Sequence, residues 1–140
     1  MASRVTDNVE LVRNFLSALA QLDVAALSDL VTEDLTWRVP GSLPISGLYN
    51  GKPAFVGDFL RGAAALFETG SLAFDIKHLL TNGDVVVAEY VGTGTSATSG
   101  QPYRNDYCVI FDFRGGKISA AREYLDTAHV ADVLLALSPE

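Results

Sequence analysis

The sequence predicts an α+β fold in which a curved antiparallel sheet wraps around N-terminal helices, and three observations point to it. Apolar residues recur at helical spacing from Val9 to Leu66, with one short alternating run between, and the period changes to two from Ser71 onward. Asn82-Gly83 and Gly115-Gly116 then supply two hairpin turns, because the central residues of such loops take positive φ at little cost. Helices that precede a run of strands bury their apolar stripes by lying on one face of the sheet. At 140 residues the chain suits one domain, spanning 1–140.

Taken in order, Val9, Val12, Phe15, Leu16 and Leu19 form the stripe of a first helix, with Asp7 as N-cap and Glu10 at the capping-box position. Asp23 caps a second, shorter helix carrying Val24, Leu27, Leu30 and Val31 on one face. Leu35 to Val39 alternates and halts at Pro40-Gly41, giving a first strand with Leu35, Trp37 and Val39 inward, and a loop runs on to Gly51. Pro53 fits the first turn of a third helix that buries Phe55, Phe59, Ala63 and Leu66 and ends near Gly70. Four strands follow, at about 72–81, 84–95, 103–114 and 117–125. Gly92 to Gly100 joins the two hairpins and lacks the Gly-Lys-Ser/Thr end of a phosphate loop. Val130, Val133, Leu134 and Leu137 mark a last helix over Ala128 to Leu137.

Turn register assigns faces. If Arg114 faces Lys117, the inner pairs are Phe113/Ile118, Phe111/Ala120, Val109/Arg122, Tyr107/Tyr124 and Asn105/Asp126. If Thr81 faces Asp84, His78 and Glu89 also point to the core side. The opposite face then holds Val86, Ala88, Tyr90, Cys108, Ile110, Ala121 and Leu125, interrupted by Asp106, Asp112 and Glu123. That is too apolar for contact with water, so a homodimer packed through the outer sheet face is expected.

Composition excludes several classes. A net charge of −7 with scattered basic residues argues against nucleic acid. No uncharged apolar run approaches the ~20 residues of a membrane span. The single Cys108 allows no intrachain disulfide, which suits a reducing, cytoplasmic setting. Two distant histidines offer no catalytic metal site.

Trp37-Arg38-Val39-Pro40-Gly41, Ser46-Gly47-Leu48-Tyr49-Asn50-Gly51, Val87-Ala88-Glu89-Tyr90-Val91-Gly92-Thr93-Gly94, Gly116-Lys117-Ile118 and Arg122-Glu123-Tyr124-Leu125-Asp126-Thr127, in this order of elements, resemble the SnoaL-like family. That family lies within the nuclear-transport-factor-2 (NTF2) and ketosteroid-isomerase superfamily. The resemblance implies a cone-shaped barrel, a homodimer and, for the polyketide cyclases among its members, a catalytic aspartate at the end of the last strand, where this chain has Asp126. Ketosteroid isomerases carry their base on the first strand, where Trp37-Arg38-Val39 stand here. Limonene-epoxide hydrolases use an Arg and an Asp two residues apart on a middle strand, where only Glu89 stands.

The expected site therefore centres on Asp126, as general acid or base or as N-cap of the last helix. Asn105 is a donor to an oxyanion, Arg122 and Glu89 an orienting or structural ion pair, and His78 a proton shuttle or a hydrogen-bonded core histidine. Trp37, Tyr49, Phe55, Phe59, Tyr107 and Tyr124 are expected to bind substrate. The activity expected is a cofactor-independent isomerase or cyclase acting beside the carbonyl of a small apolar or polycyclic metabolite. The alternatives are a non-catalytic hydrophobic-ligand-binding domain and epoxide-hydrolase-type activation of water.

Overall fold

The computed structural model describes residues 4–135, with side chains from Asp7 onward. Its first helix, α1 (Arg4–Gln21), buries Val12, Phe15, Leu16 and Leu19 against the sheet. The helix starts ahead of Asp7, which therefore sits in the first turn and not at the cap. It ends with Leu22 in the left-handed region (φ 54°), where Leu22 N–H donates to Leu19 and Asp23 N–H to Ala18. A non-glycine residue in that conformation costs about 1 kcal/mol and holds the exit from the helix rigidly in place. Asp23 then caps α2 (Val24–Asp29) by accepting from Ala26 N–H, as expected.

The first strand, β1 (Val31–Val39), begins four residues ahead of the expected Leu35. The expected loop after it contains a short strand, β2 (Gly47–Asn50), paired antiparallel to β1 with Tyr49 opposite Trp37. A helix, α3, is built from Lys52–Ala54, Phe55–Leu60 and Arg61–Leu66; its middle segment is wound with wider π turns. Strands β3 (Ala73–Asn82), β4 (Val85–Thr95), β5 (Pro102–Arg114) and β6 (Lys117–Leu125) follow. The last helix, α4, comprises Thr127–His129 and Val130–Leu134, and the expected Leu137 lies outside the described residues.

Among the described residues the sheet has six strands in the order β2-β1-β6-β5-β4-β3, antiparallel except for β1 beside β6. Two bulges decide which side chains enter the core. Phe113 faces Ile118 but Asp112 faces Ala120, so Ser119 is an extra residue and everything after it on β6 is turned over. Ala121, Glu123 and Leu125 consequently point inward, while Arg122 and Tyr124 point outward, the reverse of the expected register. On β3, Ile76 faces Tyr90 but His78 faces Glu89, leaving Lys77 as the extra residue. The hairpin before β4 also closes one residue later than expected, with Asn82 opposite Val85. Val86, Ala88 and Tyr90 are therefore fully buried core residues, not part of an outer face.

The core is aromatic at its centre. Trp37 lies 5.2 Å from Phe55, 5.3 Å from Phe59 and 5.7 Å from Phe15, ring centre to ring centre. The inner face of β4 carries Gly92 where its strand must pass under two rings. A methyl group there would sit 2.8 Å from Tyr107 Cε1 and 3.2 Å from Phe74 Cε1. Gly92→Ala is expected to cost roughly 1–3 kcal/mol through overpacking. Chemical denaturation should show a lower midpoint with an unchanged denaturant slope.

Candidate functional site

Turning β6 over at Ser119 carries a carboxylate into the core. Glu123 is buried, and its Oε1 accepts a 2.7 Å hydrogen bond from Trp37 Nε1 on the neighbouring parallel strand. Burial pushes its carboxyl up from the ordinary value of 4.5 to about 7, and the indole N–H, which favours the anion, offsets only part of that.

Glu123 stands between two lobes of one apolar hollow. The lobe toward α4, of about 70 Å³, is walled by residues that include Val39, Ile45, Tyr103, Leu125, Val130 and Leu134. The lobe toward α1, of about 60 Å³, is walled by Leu19, Leu22, Trp37, Leu72, Phe74 and Tyr90. Phe59, Ala63, Phe67, Tyr107 and Glu123 border both. Phe59 reaches this position from the π-wound part of α3, a kind of distortion that recurs at binding sites.

A chain of hydroxyls faces the same hollow from β5. Asn105 Nδ2 donates to the Tyr103 oxygen at 2.9 Å, and the Tyr103 and Tyr107 oxygens are 2.7 Å apart. Tyr103 is buried, so its hydroxyl needs partners, and the Asn105 amide and the Tyr107 hydroxyl supply them. The chain thus links Asn105, Tyr103 and Tyr107, and either phenol can donate across the Tyr103–Tyr107 bond. Burial holds both phenols neutral: Tyr103 is pushed up to about 12 and Tyr107 well above its usual range. Asn105 is itself clamped, donating to the Asp126 carbonyl at 3.0 Å and accepting from Asp126 N–H at 3.1 Å.

The structure brings together Trp37, Phe59, Tyr107 and Asn105 of the expected site and separates the others. Asp126 does lie beside Asn105, but through its backbone. Its exposed carboxylate caps α4 by accepting from His129 N–H at 3.2 Å. Arg122 is on the outer face, bound bidentately to Asp112 at 2.9 and 3.2 Å, because the Ser119 bulge reverses it. Tyr124 is turned outward by the same bulge and is 47% exposed. His78 and Glu89 face each other across β3 and β4 on the outer face, 2.8 Å apart and exposed, and so neither lines the hollow. Phe55 packs inside the aromatic core, and Tyr49 donates to the Ile45 carbonyl at 2.7 Å, bracing the loop while its ring edge meets Phe59.

Sequence reasoning missed Glu123 and Tyr103. One signal pointed to Glu123: a buried tryptophan needs an acceptor for its indole N–H, and few acidic residues fall on strands beside β1.

A six-stranded curved sheet with N-terminal helices, an apolar hollow and, among the described residues, one buried carboxylate make up an α+β fold. The chain belongs to the SnoaL-like domain family, whose model matches residues 12–121. It is similar in structure to a candidate isomerase from Bacillus subtilis, with 22% identity, a TM-score of 0.85 and 98% of each chain covered. A candidate SnoaL-like polyketide cyclase from Jannaschia sp. CCS1 superposes with a TM-score of 0.84 at 17% identity, over 99% of this chain and 98% of that one. An NTF2-like protein from Anabaena variabilis ATCC 29413 is 30% identical, with a TM-score of 0.74 over 89% of this chain and 94% of that one. The fold expected from the resemblance is the fold found.

The buried carboxyl makes stability depend on pH with a definite sign. Between about pH 4.5 and 7 the folded chain keeps a proton that the unfolded chain has released, so stability falls as pH rises and levels off above 7. The total loss is on the order of 3 kcal/mol. Glu123→Gln keeps an acceptor for Trp37 but cannot ionise. Thermal melts from pH 5 to 8 should therefore show a flatter profile for the variant and a higher Tm than wild type at pH 8.

Proposed function

We propose that this protein is a cofactor-independent isomerase or cyclase that moves a proton beside the carbonyl of a small, neutral, apolar metabolite, with Glu123 as the base. The observation that carries the reading is Glu123 itself: a carboxyl that burial pushes up to about 7, in an apolar hollow that the Tyr107 side chain also borders. A base near neutrality combines a useful ionised fraction with real proton affinity.

In this mechanism the substrate carbonyl accepts from the Tyr107 hydroxyl, and Glu123 removes a proton from the adjacent carbon. The electron pair of the broken C–H bond moves onto the carbonyl oxygen as an enolate, which the donors stabilise where charge develops. Glu123 then returns the proton to another carbon, or the enolate carbon attacks a second carbonyl, closing a ring, and the alkoxide formed on that carbonyl oxygen takes the proton back from Glu123. Asn105 and Tyr103 act as positioning residues that aim Tyr107. The Bacillus and Jannaschia neighbours, a candidate isomerase and a candidate SnoaL-like polyketide cyclase, support this class. Asp126 keeps only its capping role.

Proton–deuterium exchange at the carbons flanking the carbonyl of cyclohexanone, followed by NMR, gives a direct assay. Exchange should rise with pH to a plateau above about 7. Glu123→Gln should lower it by roughly 10²–10⁴-fold and Tyr107→Phe by about 10²–10³-fold, while Asp126→Asn leaves it unchanged. Equal exchange in wild type and Glu123→Gln would refute the assignment.

Self-association through the outer sheet face belongs to the same reading. That face presents the exposed Leu80 and Tyr124 beside the half-buried Val85, Val87, Cys108 and Ile110. Light scattering at micromolar concentration should give twice the chain mass, and a monomer would contradict it. The unpaired Cys108 suits a cytoplasmic setting.

A further inference from the structure

Apart from the Trp37 indole, the carboxylate at the centre of the hollow has no counter-ion among the described residues. Among the described residues no Lys, Arg or His borders either lobe. The ion pairs formed by Arg13, Lys52, Lys77, Arg104, Arg114 and Arg122 all go to other carboxylates. A buried carboxylate without a counter-ion is costly, and it is relieved by a proton or by a cation brought from outside.

The lobe toward α1 is built to receive such a cation. Six of its lining side chains are aromatic: Trp37, Phe59, Phe67, Phe74, Tyr90 and Tyr107. Tyr90 and Tyr107 stack 5.1 Å apart, and Phe74 meets Tyr90 edge-on at 5.1 Å, so the rings form a continuous wall. The remaining lining residues are Leu19, Leu22, Ala63 and Leu72, with Glu123 the one carboxylate. Aromatic rings attract a desolvated cation through their negative faces, by about 2 kcal/mol or more in such surroundings. A primary ammonium would need acceptors for three N–H groups, and this wall offers only the carboxylate and phenol oxygens. An alkylated ammonium has few or no N–H groups and fits it better. The lobe's volume of about 60 Å³ limits the cation to a few carbon atoms.

We propose that this lobe binds a small tertiary or quaternary alkylammonium cation, enclosed by the six aromatic side chains with Glu123 as its counter-ion. The proposal shares the placement of Glu123 with the proposed function but uses it as a charge and not as a base. A bound cation keeps the carboxylate ionised and blocks its approach to a carbonyl substrate, which makes such cations competitive inhibitors.

The groups facing Glu123 leave its titration uncomplicated. They are the phenols of Tyr49 on β2, Tyr90 on β4, and Tyr103 and Tyr107 on β5, all held above their usual range. The linings from α1, α3 and β1 add no titratable group, and His129 of α4 stacks on Tyr103 and borders neither lobe.

Titration with tetramethylammonium chloride, read by calorimetry and by the emission of Trp37, tests the proposal. Trp37 is the single tryptophan and lies in the wall. Affinity should rise about tenfold per pH unit up to about 7 and then stay level, because the proton competes with the cation for Glu123. The neutral tert-butyl alcohol should bind more weakly and without that dependence. Glu123→Gln should weaken tetramethylammonium binding at pH 8 at least tenfold. Should that variant fail to fold, the pH profile of the wild type decides alone. Absence of saturable binding at pH 8, or binding indifferent to pH, overturns the proposal. Loss of ketone exchange in Glu123→Gln without any cation binding would remove this inference and leave the acid–base reading standing. Cation binding without exchange would do the reverse.

Discussion

The structure turns on one hydrogen bond, between the indole of Trp37 and the carboxylate of Glu123, made deep in an aromatic core. An isolated charge in such surroundings is strongly disfavoured, and a buried indole N–H without an acceptor is also costly. Each group resolves the other's difficulty. The pairing is possible because β1 and β6 run parallel side by side, with Trp37 opposite Ala121, and because one extra residue at Ser119 turns the following side chains over. Without that bulge Glu123 would face outward and Arg122 would occupy the core.

The remaining architecture accommodates this arrangement. Gly92 clears space under Tyr107 and Phe74, and the π-wound stretch of α3 presents Phe59 to the hollow. Asn105 ties the end of β6 to β5 and at the same time donates to the Tyr103 hydroxyl of the Tyr103–Tyr107 pair. Structural and chemical roles therefore meet in single residues. The hollow is apolar almost throughout, so the few polar groups that enter it act at low dielectric, where a charge and a donor have the greatest effect. This arrangement costs stability: a carboxyl that burial raises to about 7 weakens the fold at the pH where it is ionised.

Much of this was legible in the sequence and one part was not. Helical periodicity, the Asp23 cap, Pro53 and the two glycine turns placed the elements in the right order, because each rests on local backbone chemistry. β2 escaped notice because four residues inside a Pro- and Gly-rich loop carry no periodic signal. The faces of β6 differ from the sequence reading because a bulge at Ser119 leaves no glycine or proline to mark it, and those of β4 because its hairpin closes at Asn82/Val85 and Lys77 bulges from β3; a slip of one residue exchanges inside for outside. The error had a visible symptom. Val86, Ala88, Tyr90, Ala121 and Leu125 made the supposed outer face too apolar, and all five in fact face the interior. Read in that light, the same pattern would have turned Glu123 inward and raised the cap, already weighed for Asp126, to its full role.

The account depends on Glu123 being a carboxyl that titrates near neutrality in the folded protein. Carbon-13 NMR of the glutamate side-chain carboxyls, with Glu123 assigned by comparison with Glu123→Gln, measures this directly. The account predicts a resonance that titrates with a midpoint of about 7 while the exposed glutamates titrate in the ordinary carboxylate range. A Glu123 midpoint at the ordinary value near 4.5 would contradict it.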